Sequence, residues 1–254
     1  MADVAIERLD DGAIWRVTFS NGKGNVLDGA TMQALTAVFV EAKDAPALKA
    51  IVLEGAGKHF SFGASVEEHL PEQVGTMLAR FRELAFAMLD CHVTILAAVR
   101  GQCLGGGLEV VTLCHQVMAH ADAMFGQPEI VLGVFAPMAS IILADRVGQT
   151  HAEELCLTGR TVDAGVAHGM GIVNVIDEHP VDAAIGWARE QLGPKSASSL
   201  RFAVRAVRMA MTDRVRALLP AMERLYLEDL MRTPDAVEGL RAFLDKRPPS
   251  WRQQ

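Results

Sequence analysis

The sequence of 254 residues has few of the features that direct a chain to a membrane, to nucleic acid or to secretion. No apolar run approaches the roughly 20 residues that a membrane-spanning helix requires. Acidic residues outnumber basic ones by 31 to 24, and the net charge of −7 argues against nucleic acid or an anionic membrane as a general partner. Charged residues also interrupt the first twenty positions, so we expect no secretory signal there.

Cysteine is scarce, and its spacing is irregular. The four cysteines lie at positions 91, 103, 114 and 156, without a CxxC pair. We therefore expect buried thiols in a reducing, cytoplasmic compartment and no disulfide framework. Cys91 and Cys114 are each followed by histidine, but no short paired ligand spacing accompanies them, so we predict no metal site.

The residues that are present predict a compact α/β chain. Half of them are apolar and 22% are charged, which is typical of a globular protein with a large core. Apolar patterns predict strands over 4–8, 13–19, 50–54, 94–99 and 116–120, and helices over 29–43, over 74–89 and from Gly105 onward. From about residue 194 the pattern is almost purely helical. We therefore divide the chain into a core, 1–193, and a helical region, 194–254, that we expect to pack on a neighbouring subunit.

Two glutamates follow turns that suit a ligand site. Glu109 comes directly after Gly105-Gly106-Gly107-Leu108, and Glu129 comes after Gly126-Gln127-Pro128. A glycine triplet lets the backbone approach a ligand closely, and a helix that begins there directs free N–H groups at negative charge. Two carboxylates beside such a turn indicate acid–base chemistry on an acyl compound. The alternative is that the glycines only make tight turns and the glutamates are surface or helix-cap charges.

Seven ordered segments carry a resemblance to a known family. They include Gly-Gln-Cys-Leu-Gly-Gly-Gly-Leu-Glu at 101–109 and Phe-Gly-Gln-Pro-Glu-Ile at 125–130, and the others are 25–27, 59–64, 157–160, 171–174 and 242–248. Over nearly its whole length the chain resembles the crotonase (enoyl-CoA hydratase/isomerase) superfamily. The resemblance implies an α/β fold built as a spiral of ββα repeats, with a C-terminal helical trimerisation region. It also implies self-association to a trimer or a dimer of trimers.

The resemblance implies specific roles as well. The backbone N–H groups of Ala64 and Gly106 would hold a thioester oxygen in an oxyanion hole, and Glu109 and Glu129 would act on water. Because many relatives with other chemistry lack one or both carboxylates, the pair favours hydration over isomerisation, hydrolysis or decarboxylation. No cofactor is implied, since coenzyme A is part of the substrate. Phe243 and Lys246 match positions at which relatives bind the CoA nucleotide from a neighbouring subunit.

A basic stripe on the predicted C-terminal helix has two possible explanations. Arg201, Arg205 and Arg208 recur at helical spacing on one face. They either meet CoA phosphates or form a solvated helix face.

Differences from the family pattern indicate which acyl group the substrate would carry. The glycine-rich turn that most straight-chain hydratases have after Ile130 is replaced at 132–140 by a stretch that contains Phe135 and Met138. Around the first oxyanion residue, Phe62, Ser65 and Val66 complete the expected substrate contacts. Two explanations fit Ser65, Glu67, Glu68 and His69 equally well: a site in which His69 titrates near neutral pH, or a solvated first helical turn. In these features the chain resembles one branch of the family, which hydrates cyclohexa-1,5-diene-1-carbonyl-CoA in the anaerobic degradation of aromatic compounds.

Several alternatives remain open at this stage. One is a generic short-chain 2-enoyl-CoA hydratase, and others are an isomerase or ring-opening hydrolase of the same fold, or a CoA-binding scaffold without activity. The alternative for Phe135 and Met138 is that they are ordinary core residues that do not contact the acyl group.

Overall fold

Two β-sheets organise the chain over residues 3–253, the part that the computed structural model describes. The strands are β1 (Asp3–Leu9), β2 (Ile14–Ser20), β3 (Ala50–Gly55), β4 (Thr94–Val99), β5 (Gln102–Leu104), β6 (Gln116–Ala119), β7 (Met124–Gly126), β8 (Thr161–Asp163) and β9 (Val175–Ile176). The larger sheet has the order β1-β2-β3-β4-β6-β9, and only its β1–β2 pair is antiparallel. The smaller sheet has the order β5-β7-β8, with β5 and β7 parallel.

Helices connect and cover these strands. They are α1 (Gly29–Lys43), α2 (Val74–Asp90), α3 (Gly106–Leu113), α4 (Ala139–Thr158), α5 (Ala164–Met170), α6 (Pro180–Gln191), α7 (Ala197–Arg224) and α8 (Pro234–Leu244). Short 3-10 segments occur at Asp10–Gly12, Glu67–His69, Pro128–Leu132 and Leu230–Arg232, and a π-helical turn occurs at Leu225–Asp229.

The chain advances by a repeated unit of one strand in the larger sheet, one short strand in the smaller sheet and one helix. The elements β4, β5 and α3 form one such unit, and β6, β7 and α4 form the next. Isolated backbone pairings of Ser61 with Cys103 and of Leu27 with Ala64 extend the ladder of short strands to earlier units. The expected spiral of ββα repeats is therefore confirmed, and the short strands of successive units lie side by side.

The middle of the larger sheet is buried on both of its faces, whereas the outer strands β1 and β9 are largely exposed. All of β4 is buried, as expected of an apolar parallel strand that is covered on two sides. Ile51 and Leu53 of β3 face the main core, which includes residues of α1 and α2, whereas Val52 faces a second cluster formed with α6. The larger sheet thus serves as a rigid support, and the ends of the short strands in the smaller sheet are available to form a site.

The helical region at the end of the chain packs on its own core. Helix α7 contacts α2 and α4, and its residues Val215 and Leu219 are buried in the main cluster. Phe202 and Val207 are more than two-thirds exposed on the same helix, at 71% and 78%. Packing on a neighbouring subunit therefore remains a prediction for this outer face only.

Two of the three arginines in the basic stripe of α7 have a structural task that neither sequence-based explanation anticipated, whereas Arg205 is exposed, as a solvated helix face requires. The Arg201 guanidinium donates to the carbonyl oxygens of Ala42, Lys43, Ala45 and Cys91, at the ends of α1 and α2. Arg208 donates to the carbonyl of Leu113, at the end of α3, at 2.5 Å. The two arginines satisfy carbonyl groups that helix ends leave free, where a cation is also favoured by the helix dipole.

Two further observations concern the environment of the chain. The thiols of Cys91, Cys103 and Cys114 are buried, and burial raises the pKa of Cys91 to about 11. Within residues 3–253, no helix combines the length and the hydropathy of a membrane span.

Candidate active site

The site lies where neighbouring short strands of the smaller sheet end. Ser61 pairs with Cys103, and Cys103 pairs with Phe125, all in parallel register. Ala64, Gly106 and Pro128 each lie three residues after one of these paired positions, and Glu129 follows Pro128. Because parallel strands in register end at the same edge, residues far apart in the sequence meet there. This register brings the two glycine-marked turns and the second glutamate together.

A network of polar contacts fixes the turn before Ala64. The Ser61 hydroxyl donates to the carbonyl of Asn25 at 2.8 Å and accepts from the N–H of Gly63 at 3.0 Å. Gly63 has a φ of 100°, and a Cβ there would lie 2.9 Å from the Leu104 carbonyl oxygen. Within residues 3–253 the N–H of Ala64 donates no hydrogen bond. The turn thus presents a free donor on a rigid backbone.

The second free donor is the N–H of Gly106, at the beginning of α3. A Cβ built on Gly106 would lie 3.1 Å from the Ala64 nitrogen, so the two backbone groups are neighbours. Among the described residues, the Gly106 N–H also lacks an acceptor. Two adjacent N–H groups, one of them at a helix N-terminus, form an anion-binding pair of the kind that stabilises an oxyanion.

Glu109 is held one helical turn into α3. Its side chain is buried, and its Oε1 accepts a hydrogen bond of 2.8 Å from the N–H of Ala139, at the beginning of α4. Burial raises the pKa of Glu109, while the backbone N–H groups of Ala139 and Met138 oppose the rise because they stabilise the carboxylate. The group is therefore ready to exchange a proton near neutral pH.

Glu129 lies opposite, in the 3-10 segment that follows β7. Burial raises its pKa, and the negative charge of Glu109 raises it further. The buried Gln127 amide lies 3.0 and 3.1 Å from its two oxygens when the amide nitrogen faces them. An amide that turns its nitrogen to a carboxylate, or its oxygen to a carboxylic acid, gives Glu129 a partner in both protonation states.

Both glutamates and both free N–H groups line one cavity of about 70 Å³, the inner cavity. Phe135 and Met138, which we expected beside the acyl group, line this cavity, and Met138 is almost fully buried. Its remaining apolar wall comes from α2, α7 and the loop before α4, mainly Met77, Leu78, Phe81, Leu132, Val134, Ala136, Pro137 and Leu219. The space is small, and its lining is apolar except at the two glutamates, the N–H pair, His69, Arg82 and Glu223. Such a space suits a short or cyclic acyl group better than a long chain.

A second space of about 720 Å³, the outer groove, opens beside the inner cavity. Phe62, Ala64 and Val66 line both spaces, so the groove leads directly to the free N–H pair. Ser65 lines the groove only. Phe243 lines this groove within its own chain, whereas Lys246 is exposed and is not part of the lining.

Several residues of the inner cavity lie outside the recognisable motifs or have no role in them. Arg82 of α2 and Glu223 of α7 form an ion pair there, and burial raises the pKa of Glu223 although Arg82 opposes the rise. Gln127 stood in a quoted motif without a role. Helical spacing on α7 indicates which residues share a face, but it does not tell which element that face meets.

The segment after Ala64 is explained by local structure. The Glu68 carboxylate accepts from the N–H of Gly29, at 3.0 and 3.1 Å, and so satisfies the beginning of α1. His69 lines the inner cavity, and its Nδ1 contacts the Ser65 carbonyl oxygen at 2.7 Å. Burial lowers the pKa of His69, so the ring is neutral and its Nδ1–H donates to that carbonyl. The expectation of a solvated helical turn is therefore wrong for Glu68 and His69.

The comparison with known families agrees with this fold and site. The enoyl-CoA hydratase/isomerase family model matches residues 10–254. The chain therefore belongs to the enoyl-CoA hydratase/isomerase family.

Particular relatives narrow the comparison. The chain is 49% identical, over 95% of its own length and 93% of the relative's, to the cyclohexa-1,5-dienecarbonyl-CoA hydratase of Thauera aromatica. It is 34% identical to a probable enoyl-CoA hydratase of Mycobacterium bovis, over 89% of each chain. A crystal structure of an enoyl-CoA hydratase from Mycobacterium avium matches it with a TM-score of 0.85 at 25% identity, over 98% of each chain.

Proposed function

We propose that this chain is a lyase that adds water reversibly to a conjugated acyl-CoA thioester, with cyclohexa-1,5-diene-1-carbonyl-CoA as its preferred substrate. The observation that carries the proposal is the pairing of two carboxyl groups, the buried Glu109 and the half-buried Glu129, with two free N–H groups around one small cavity. The similarity to the Thauera aromatica hydratase supports the cyclic substrate, and with it a place in aromatic compound degradation.

The reaction needs two proton movements and one oxyanion contact. Water attacks the β-carbon of the cyclic dienoyl thioester and gives up one proton to a carboxylate. The negative charge that results is shared by the thioester oxygen and the far end of the second ring double bond. A proton from a carboxylic acid at that far carbon leaves one double bond in the ring and yields 6-hydroxycyclohex-1-ene-1-carbonyl-CoA. The N–H groups of Ala64 and Gly106 would stabilise the oxygen while it carries charge.

The two carboxyl groups divide the proton transfers. In the free enzyme Glu109 is the better candidate for the ionised base, because the N–H of Ala139 stabilises its carboxylate. Glu129 is then the protonated acid, since the charge of Glu109 raises its pKa. After one turnover the proton has passed from Glu129 to Glu109, and exchange with solvent resets the pair.

The outer groove would hold the CoA chain. Its lining is almost entirely apolar, which suits the pantetheine portion, and Phe243 lies at a position where an aromatic ring can cover it. Lys246, on the exposed surface, is the candidate for a phosphate contact. Self-association to a trimer or hexamer and a cytoplasmic location are part of this proposal, supported by the exposed apolar face of α7 and by the buried thiols.

Product mass spectrometry tests the proposal. The purified protein is incubated separately with cyclohexa-1,5-diene-1-carbonyl-CoA and with crotonyl-CoA. Gain of one water on the ring substrate, with little on crotonyl-CoA, is the expected result. Rapid hydration of crotonyl-CoA alone would replace the proposal with a generic short-chain hydratase. Release of a free acid would identify a hydrolase. If the protein hydrates neither thioester, both the cyclic dienoyl-CoA hydratase and the short-chain hydratase are contradicted.

A further inference from the structure

Tyr226, the single tyrosine of the chain, is fully buried beside the inner cavity. The centroid of its ring lies 5.2 Å from that of Phe135 and 6.5 Å from that of His69, and both of these side chains line the cavity. Its hydroxyl has no hydrogen-bond partner among residues 3–253. A buried tyrosine hydroxyl normally has a partner, because an unpaired polar group is destabilising. The exception suggests that a bound molecule supplies the partner.

Tyr226 follows the helix face that closes the inner cavity, and its ring packs against the lining residues Phe135 and His69. Leu219 and Glu223 of α7 line the inner cavity, and Tyr226 continues the same stripe at i, i+4 and i+7. It lies in the π-helical turn Leu225–Asp229, and such turns are frequent at functional sites. The same face that closes the cavity therefore carries the unpaired hydroxyl.

Other side-chain donors that line the cavity already have partners within the protein, except for the remaining N–H groups of Arg82. His69 has its Nδ1 on the Ser65 carbonyl, and Arg82 is paired with Glu223. The Gln127 amide faces Glu129, and the N–H groups of Ala64 and Gly106 are reserved for the thioester oxygen in the proposed reaction. Among residues 3–253, Tyr226 is thus a fully buried donor without a partner, and it is available for a second substrate oxygen.

The reacting water requires such a donor. Its hydrogens face the carboxyl groups, one lone pair attacks the β-carbon, and the other lone pair has no partner in the arrangement so far. We propose that the Tyr226 hydroxyl donates a hydrogen bond to the oxygen atom that is added to the acyl group, and so orients the attacking water. In the reverse reaction the same contact would hold the departing hydroxide. This inference rests on the proposed function, because it assumes a hydration site between Glu109 and Glu129.

The electrostatic surroundings agree with a donor that does not ionise. Burial raises the pKa of Tyr226, and the negative charges of Glu129 and Glu109 raise it further. The hydroxyl therefore keeps its proton throughout the pH range in which the carboxyl groups titrate. Its role is to position and stabilise the reacting oxygen and not to exchange a proton with it.

The test is the Tyr226→Phe variant, which removes one oxygen atom and keeps the ring. We expect kcat to fall about tenfold or more for whichever thioester the wild type hydrates, the cyclic dienoyl-CoA or crotonyl-CoA, with KM little changed. The reverse rate should fall by the same factor, because the equilibrium constant is unaltered. The Kd for cyclohexanecarbonyl-CoA, which has no added oxygen, should not change.

Thermal unfolding supplies the structural control. The melting temperature of the free Tyr226→Phe variant should equal or exceed that of the wild type, since the lost hydroxyl had no partner. Thr31→Val, which removes a buried hydroxyl that contacts Asp28 and Val26, should lower the melting temperature.

Each contrary outcome has a distinct meaning. An active wild type with an equally active Tyr226→Phe variant would overturn the role of Tyr226 and leave the proposed function standing. A lower melting temperature, or weaker binding of cyclohexanecarbonyl-CoA, would show that the hydroxyl supports the fold or the shape of the pocket instead. A wild type that hydrates neither thioester would overturn both proposals together.

Discussion

The inner cavity and the outer groove share one wall but differ in almost every other property. The inner cavity is the smaller, about 70 Å³ against about 720 Å³, and yet it contains Glu109, Glu129 and the Arg82–Glu223 ion pair. The groove presents an apolar surface in which Glu67 is the only ionisable residue of the lining. The contrast separates two tasks: a low-dielectric chamber that shifts pKa values, and a surface that holds a long molecule by contact area.

If this separation is correct, substitutions in the inner cavity should lower kcat, and those in the groove should raise KM. The largest effect is expected for Glu109→Gln and Glu129→Gln. Each removes a group that exchanges a proton while it keeps the size of the side chain. We expect kcat to fall by about 10²- to 10⁴-fold with little change in KM. Glu72→Gln, on the exposed surface, is the matched control and should behave as the wild type. Retention of full activity by either cavity variant would remove that glutamate from the mechanism.

The next effect tests how closely the turn and the second carboxyl group are fitted. Gly105 has a φ of 50°, and a Cβ there would lie 2.6 Å from Oε1 of Glu129. The Gly105→Ala variant should therefore displace the carboxyl group and lower kcat by about 10²-fold, as misplacement of a catalytic group by about 1 Å does. Gly75→Ala introduces the same methyl group in α2, where no atom lies within 4 Å, and should have no effect on kcat. Equal activity of both variants would show that the turn adjusts without moving Glu129.

Much of this arrangement could be predicted from the sequence, and the part that could not has a physical reason. The ends of α1 and β4 were predicted to the residue, because long apolar patterns report burial directly. The strands β7, β8 and β9 have two or three residues, too few to show a period. Ala64, Gly106 and the two glutamates were found through their motifs.

Residues that act through tertiary packing carry no such local signal. Tyr226, Glu223 and Arg201 lie on a helix whose sequence shows its faces but not its neighbours. The Arg201 side chain was expected to be solvated or to bind phosphate, and it instead satisfies carbonyl groups at the ends of two other helices. Only the folded arrangement of α1, α2 and α7 reveals such a contact.

The pH dependence of stability should show that the inner cavity raises the pKa of a carboxyl group. The folded pKa of Glu129 is raised above its ordinary value of 4.5, so the folded state binds more protons than the unfolded state as the pH rises past 4.5. The free energy of unfolding therefore decreases with rising pH until the folded group has ionised. Glu129→Gln lacks this loss. The free energy of unfolding of the variant minus that of the wild type should therefore be larger at pH 8 than at pH 5, by about 1.4 kcal/mol for each unit by which the pKa is raised within this range.

Denaturant titrations at the two pH values measure this difference. Glu238→Gln serves as a control of opposite sign, because its contact with Arg247 lowers the pKa of Glu238 to about 2. A lowered pKa gives stability that is fully present above the unfolded value of 4.5, so the effect of this substitution should be the same at pH 5 and pH 8. Parallel profiles for the wild type and Glu129→Gln would contradict a raised pKa at the site.

The smallest expected effect belongs to the outer groove. Phe243 is 54% exposed in the free protein, and a bound CoA chain would cover part of its ring. Covering about half of a phenylalanine contributes on the order of 1 kcal/mol, so Phe243→Ala should raise KM about fivefold and leave kcat unchanged. Phe202→Ala, an exposed phenylalanine on α7 that does not line the groove, should change neither constant when both variants have the same oligomeric state. A fall in kcat for Phe243→Ala would mean that the groove also positions the acyl group, and the division of tasks between the two spaces would then fail at their shared wall.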